Sequence, residues 1–104
     1  MSIDPYLSLE AAATGIRNGD FTSVQLTETC LERIGALGDR LNCIAGIDPE
    51  KALADATAAD ALTAAGKPAG ALHGVPLAHK DMYYRKGRVS ACGSIIRKDY
   101  QPQT

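Results

Sequence analysis

Only two stretches of this chain read as β-strands, and that shortage constrains its fold more than any other feature. Residues 42–47, Asn-Cys-Ile-Ala-Gly-Ile, are short and β-branched enough for one strand, and Asp48-Pro49 closes it as a cap followed by a first-turn proline. Residues 75–80 supply the other, with Val75, Leu77 and His79 on one face and Pro76, Ala78 and Lys80 on the opposite one. Pro76 removes a ladder donor, so it belongs near the strand start or at a bulge. Two strands do not make an independently stable open sheet, and both would present unpaired edges. The expected class is therefore α/β: N-terminal helices plus the first strands of a larger sheet.

The helices carry clear punctuation. Ser8 can cap a first helix running to about Asn18, with Leu9, Ala13 and Ile16 at helical spacing and Asn18-Gly19 as the stop. Thr22 and Gln25 form a capping box for a second, Phe21 can staple against Leu26, and Leu26, Cys30, Ile34 and Leu37 line one stripe up to Gly38. Asp48 caps a third, which runs to about Ala65 and is dense in alanine. Alanines bury little apolar area each, so this helix should lie closely against a larger neighbour, with Gly66 as its C′ residue. Residues 66–74 are too rich in Gly and Pro for a regular element.

Length and composition set the bounds. A chain of 104 residues can bury roughly 60–70% of its unfolded surface around one modest core. With 45% hydrophobic and 22% charged residues it has the balance of a globular chain and not of a disordered one. Ten acids and four bases fall in residues 1–60, against two acids and seven bases in 61–104. Two differently solvated faces account for that asymmetry, and no membrane or nucleic-acid partner follows from it. Cys30, Cys43 and Cys92 are odd in number and lack C-x-x-C spacing, which argues against a disulfide framework or a zinc site. The N-terminus has no basic region followed by an apolar one, and no run approaches the ~18 apolar residues of a membrane span. A cytoplasmic setting is expected.

The chemistry-bearing stretch is Leu72-His73-Gly74-Val75-Pro76-Leu77-Ala78-His79-Lys80-Asp81, which delivers a lysine from the end of an apolar segment that leaves a glycine-rich loop. It closely resembles the segment that holds the catalytic lysine in the amidase signature family of hydrolases. Ser90-Ala91-Cys92-Gly93-Ser94 resembles the small-residue turn that follows the lysine strand there. The similarity is strong over about residues 70–95 and only general in the helices before them. It implies that residues 1–104 are the N-terminal part of a single amidase signature domain, the N-terminal helices plus first strands of a larger mixed β-sheet domain covered by helices, with 1–69 mainly helical and 70–104 holding the Gly-rich loop, the lysine strand and the following turn.

The resemblance also implies a mechanism. In that family a serine attacks the amide carbonyl, and a second serine, held by a cis peptide, relays its proton to a neutral lysine. An acyl-enzyme forms, the amine leaves, and water releases the acid. Lys80 matches the lysine, no metal or organic cofactor is implied, and neither serine has a counterpart in these residues. A solvated lysine has a pKa of about 10.4, so accepting a proton near pH 7 requires a downward shift of roughly three units, on the order of 4 kcal/mol, usually by desolvation. The chain alone is therefore expected to be inactive. The implied substrate is a small-molecule amide, and amidotransferase partner subunits are possible, because some family members are glutaminase subunits working on charged tRNA. His79 stands where the family usually has an apolar residue and Met82 where asparagine commonly follows Lys-Asp, which leaves the amide open. A non-catalytic, stand-alone interaction module is the alternative.

Other candidates have plainer readings. Ser90 and Ser94 near a lysine invite a Ser–Lys dyad, but a tight turn explains them. Gly74, Pro76 and Gly93 read as backbone-geometry residues. His73 and His79 are six apart without a third ligand nearby, which argues against a metal site. Cys92, near Arg88 and Arg97, reads as a turn cysteine. Tyr83-Tyr84-Arg85-Lys86-Gly87-Arg88 combines aromatics and bases as a single-stranded nucleic-acid platform does, but the pI near 6.0 counts against that role.

Overall fold

The structure, a computed structural model, describes residues 3–83 and 85–103. Met1 and Ser2 of the N-terminus, Tyr84 of the aromatic and basic run, and Thr104 lie outside the described residues.

Three helices form where the local signals place them. Helix α1 spans Leu9–Asn18, and the Ser8 hydroxyl accepts the Ala11 N–H at 3.1 Å. Its end is a Schellman motif, in which Gly19 N–H donates to Ile16 O and Asp20 N–H to Gly15 O. Helix α2 spans Ser23–Leu41 behind a complete capping box: Gln25 N–H donates to Thr22 Oγ1 at 3.1 Å and Thr22 N–H to Gln25 Oε1 at 2.9 Å. Helix α3 spans Pro49–Ala64 with Asp48 as N-cap, and Gly66, at φ +72°, closes it by a second Schellman motif.

Two details differ from expectation. Helix α2 continues past Gly38 to Leu41 and stops at Asn42 in the left-handed conformation, whose N–H donates back to Gly38 O at 2.7 Å. Asparagine supplies that cap because its short polar side chain tolerates positive φ, so the glycine four residues earlier remains helical. Leu9, expected on the buried face of α1, is exposed, and the face that packs is Ala12, Ala13, Gly15 and Ile16.

The core is small. Ile3, Ala12, Ile16 and Leu26 form it, with Leu7, Phe21, Cys30 and Val75 packed around them. Phe21 and Leu26 share this cluster, as the staple requires. Gly15 sits in the middle of α1 because a Cβ there would fall inside the van der Waals envelope of the Phe21 ring. Along α2 burial fades from Leu26, which is buried, through half-buried Cys30, Ile34 and Leu37 to exposed Leu41. Helix α3 packs against α2, and Ala56 is its one buried residue among those described.

Neither expected strand is present among the described residues. Residues 42–47 form an irregular, exposed connection between α2 and α3, and residues 75–80 run without regular pairing. The physical reason is the one that made two strands inadequate: a ladder needs a neighbour, and these two segments do not pair with each other. The helical half of the α/β expectation holds and its sheet is not formed here.

The consequence is an open molecule. Its accessible surface is 7641 Å², whereas a self-contained fold of 10.9 kDa exposes about 5600 Å². The Cα radius of gyration is 15.2 Å against about 13 Å for a compact chain of this length. Much of the excess is apolar side chain in the second half, including Leu77, Met82, Tyr83, Val89, Ile95 and Ile96.

Candidate functional site around Lys80

The approach to Lys80 begins at a fixed point. His73 accepts the Ala69 N–H on Nδ1 at 3.0 Å, and its Nε2 lies 2.8 Å from Ala59 O and 3.0 Å from Thr63 Oγ1. With Nδ1 accepting, the proton is assigned to Nε2, which donates into α3. His73 is thus a structural ligand of α3. Gly74, at φ +80°, passes so close to α1 and α2 that a Cβ would sit 3.2 Å from Ser23 Cβ and 3.3 Å from Ile16 Cγ2. This confirms Gly74 as a backbone-geometry residue.

Beyond Gly74 the chain leaves the core. Val75 still packs on it, Pro76 is half-buried, and Leu77, Ala78, His79 and Lys80 are exposed. Among the described residues no side-chain hydrogen bond or ion pair holds the Lys80 ammonium. Val75, Leu77 and His79, expected to share one strand face, do not share an environment, since Val75 is half-buried and the other two are exposed.

Asp81 then anchors the far side of the segment. Its carboxylate accepts the Ala91 N–H at 3.2 Å, and its carbonyl accepts the Cys92 N–H at 3.1 Å. Ala91, Cys92, Gly93 and Ser94 form the expected small-residue turn: Ser94 N–H donates to Ala91 O at 2.9 Å, and Cys92 and Gly93 both have positive φ, +54° and +73°. That pair of left-handed residues is the signature of a type I′ turn, which favours glycine at its second central position. A short 3-10 turn, Ile95–Arg97, follows.

Ser90 is buried, and its hydroxyl donates towards the carbonyls of Asp81 and Tyr83, at 3.4 and 3.5 Å. It is a turn residue, and the Ser–Lys dyad finds no support in its contacts. A hollow of about 240 Å³ lies between α1, the end of α3 and residues 66–73, lined by Ile16, Thr63, Gly66 and His73. Lys80 is not part of it. Arg88 reaches Asp48 at 3.6 Å, an ion pair that joins the basic second half to the acidic first half.

The amidase family profile matches residues 25–104, which takes in all of α3, the lysine segment and the turn after it. The chain belongs to the amidase family. It is 46% identical over 96 residues to a glutamyl-tRNA(Gln) amidotransferase subunit from Thiobacillus denitrificans, covering 92% of this chain and 20% of that protein. The same coverage holds at 43% identity for the putative amidase AmiD of Mycobacterium bovis. The corresponding amidotransferase subunit from Chromobacterium violaceum is 52% identical over 79 residues, 76% of this chain and 16% of that protein. The chain spans about a fifth of the length of the curated relatives it matches.

Sequence reasoning missed the residues that hold the start of the lysine segment. Asp60, on α3, accepts from the first turn of α2, and Ser23 donates to Gly74 O. Those bonds join residues 36 to 51 positions apart, so no local pattern announces them. Asp81 was visible in the motif, but its role as an anchor needed the turn at 91–94 in place.

Proposed function

We propose that this segment supplies the proton-accepting lysine of an amide-hydrolysing active site, with Lys80 in that role and a carboxamide as substrate. A serine outside these residues would attack the carbonyl carbon, and its proton would pass through a second serine to the Lys80 amine. As the C–N bond breaks, that proton would go to the leaving nitrogen, and water would then cleave the acyl-serine ester.

The observation that carries the reading is the place of Lys80 within the family match. Its ammonium stands exposed, without a partner among the described residues, at the end of a segment secured on both sides, by Gly74 and by Asp81. A lysine that accepts a proton near neutral pH must be desolvated. Nothing described here covers Lys80, so desolvation has to come from structure that packs onto residues 75–80. The exposed Leu77 and Met82 beside it offer an apolar surface for that packing.

A second, narrower reading is a glutaminase component of a tRNA-dependent amidotransferase with partner subunits. It is favoured by the relatives at 46% and 52% identity, both of which are named as subunits of glutamyl-tRNA(Gln) amidotransferase.

A graft tests both. These residues replace the matching fifth of the Thiobacillus denitrificans protein, and ammonia release is followed with glutamine and with simple carboxamides. Turnover by the folded graft is the expected result, and glutamine preference in the presence of the partner subunits supports the narrower reading. A folded graft without turnover on any amide contradicts the proposal and favours a non-catalytic interaction module.

A further inference from the structure

Three polar side chains, Asp60 of α3, Ser23 of α2 and His73 of the loop after them, tie the two helices to each other and to Gly74, where the lysine segment starts. Asp60, on α3, spans the open first turn of α2, where Ser23 N–H donates to Oδ1 at 2.8 Å and Val24 N–H to Oδ2 at 3.0 Å. A carboxylate there satisfies two otherwise orphan donors and sits at the positive end of the helix dipole. Ser23, which is 2% exposed, turns its hydroxyl the other way and donates to Gly74 O. His73, the neighbour of Gly74, donates from Nε2 to Ala59 O, one residue before Asp60. The bonds form one connected clasp, from α3 through the first turn of α2 to Gly74, and from Gly74 through His73 back to α3.

We propose that Asp60, Ser23 and His73 are positioning residues for Lys80: they fix the height and direction at which residues 75–80 leave the helical layer. The proposal rests on Lys80 being the functional lysine. Beyond the clasp the segment has Val75 against the core as its remaining apolar contact there, no ladder among the described residues, and then the Asp81 anchor. A segment tied at two ends and free between them takes its course from the ties. Helix capping accounts for the Asp60 bonds, which close the Ser23 and Val24 N–H groups that the Thr22–Gln25 capping box leaves open, but it does not account for the tie to Gly74. The Ser23 hydroxyl donates to Gly74 and not within its own helix.

The test uses the 104-residue chain, isotopically labelled, in solution. Residual dipolar couplings of residues 75–81 are measured in the parent, in Asp60→Asn and in Ser23→Ala, with those of α1 as internal reference. In the parent the couplings of residues 75–81 should fit one orientation relative to the helices. In both variants that fit should be lost while α1 keeps its own. If the changes stay within the first turn of α2 and Gly74, and residues 76–81 keep their orientation, the clasp is only a helix cap and the proposal falls. Should both variants fail to fold, the imidazole nitrogens of His73 in the parent decide: a single Nε2–H tautomer is expected, and rapid exchange between tautomers overturns the clasp. Neither readout involves turnover, so each stands or falls apart from the catalytic role of Lys80.

Discussion

The carboxylate of Asp60 accepts the backbone N–H of Ser23 at 2.8 Å, which couples α3 to the first turn of α2. The same carboxylate takes the Val24 N–H at 3.0 Å, so one side chain closes two open donors. Asp60→Ala leaves both N–H groups without a partner in a part-buried place. Hydrogen bonds to a charged group contribute about 1.5–3 kcal/mol, and orphaned donors add to the loss. Chemical denaturation should show Asp60→Ala destabilised by about 2 kcal/mol, more than the ~1 kcal/mol expected of Thr22→Ala at the ordinary N-cap.

Gly15→Ala reads the packing of α1 against Phe21. In an exposed helix the change would stabilise by about 1 kcal/mol. Here the new methyl meets the Phe21 ring, and overpacking costs about 1–3 kcal/mol. A net loss of stability is expected, measured by thermal or urea unfolding. The double variant with Phe21→Ala should show the alanine at position 15 to be neutral or favourable, because the obstruction is gone.

Cys30 should be the slow thiol. Burial raises it above the usual thiol range, with Arg33 pulling weakly the other way, while Cys43 and Cys92 are exposed. Alkylation at about pH 8 followed by mass spectrometry should modify Cys43 and Cys92 before Cys30. Because the folded state holds the Cys30 proton more tightly than the unfolded state, its contribution to stability is full below the unfolded thiol value of about 8.5. It is lost as pH rises through the higher folded value. The Cys30→Ala variant should lack this part of the alkaline loss.

The exposed apolar side chains predict association. Ile95 and Ile96 are 86% and 95% exposed on a chain whose 7641 Å² of surface exceeds the ~5600 Å² of a self-contained fold. Sedimentation of the chain should show concentration-dependent self-association, weakened in the Ile95→Lys, Ile96→Lys double variant. A monomer at every concentration, in parent and variant alike, would speak against this surface being sticky.

Elements whose signals are local were legible from the sequence. Ser8, Thr22 with Gln25, and Asp48-Pro49 each carry a cap within three residues of the helix they start, and all three helices begin there. The small-residue turn at 91–94 was equally readable, because Gly93 marks a positive-φ position. The two strands were not settled by the sequence, since alternation of side chains describes a face while a strand exists only with a partner. The end of α2 was missed because Gly38 and Asn42 are both acceptable stops, and the helix takes the second, where the Asn42 N–H closes on Gly38 O. Lys80 stood out in its motif, but Asp60 and Ser23 did not, because their bonds cross 36 to 51 residues of chain.

Substitution of Lys80 within the active graft addresses the central claim most directly. Positioned proton transfer contributes about 10²–10⁴-fold to a rate. Lys80→Ala should therefore lower kcat for amide hydrolysis by about 10²-fold or more with KM little changed, and Lys80→Arg should fare no better, because a guanidinium stays charged and cannot accept a proton. If either variant turns over amides at close to the parent rate, Lys80 is not the proton acceptor and the account of this segment is wrong.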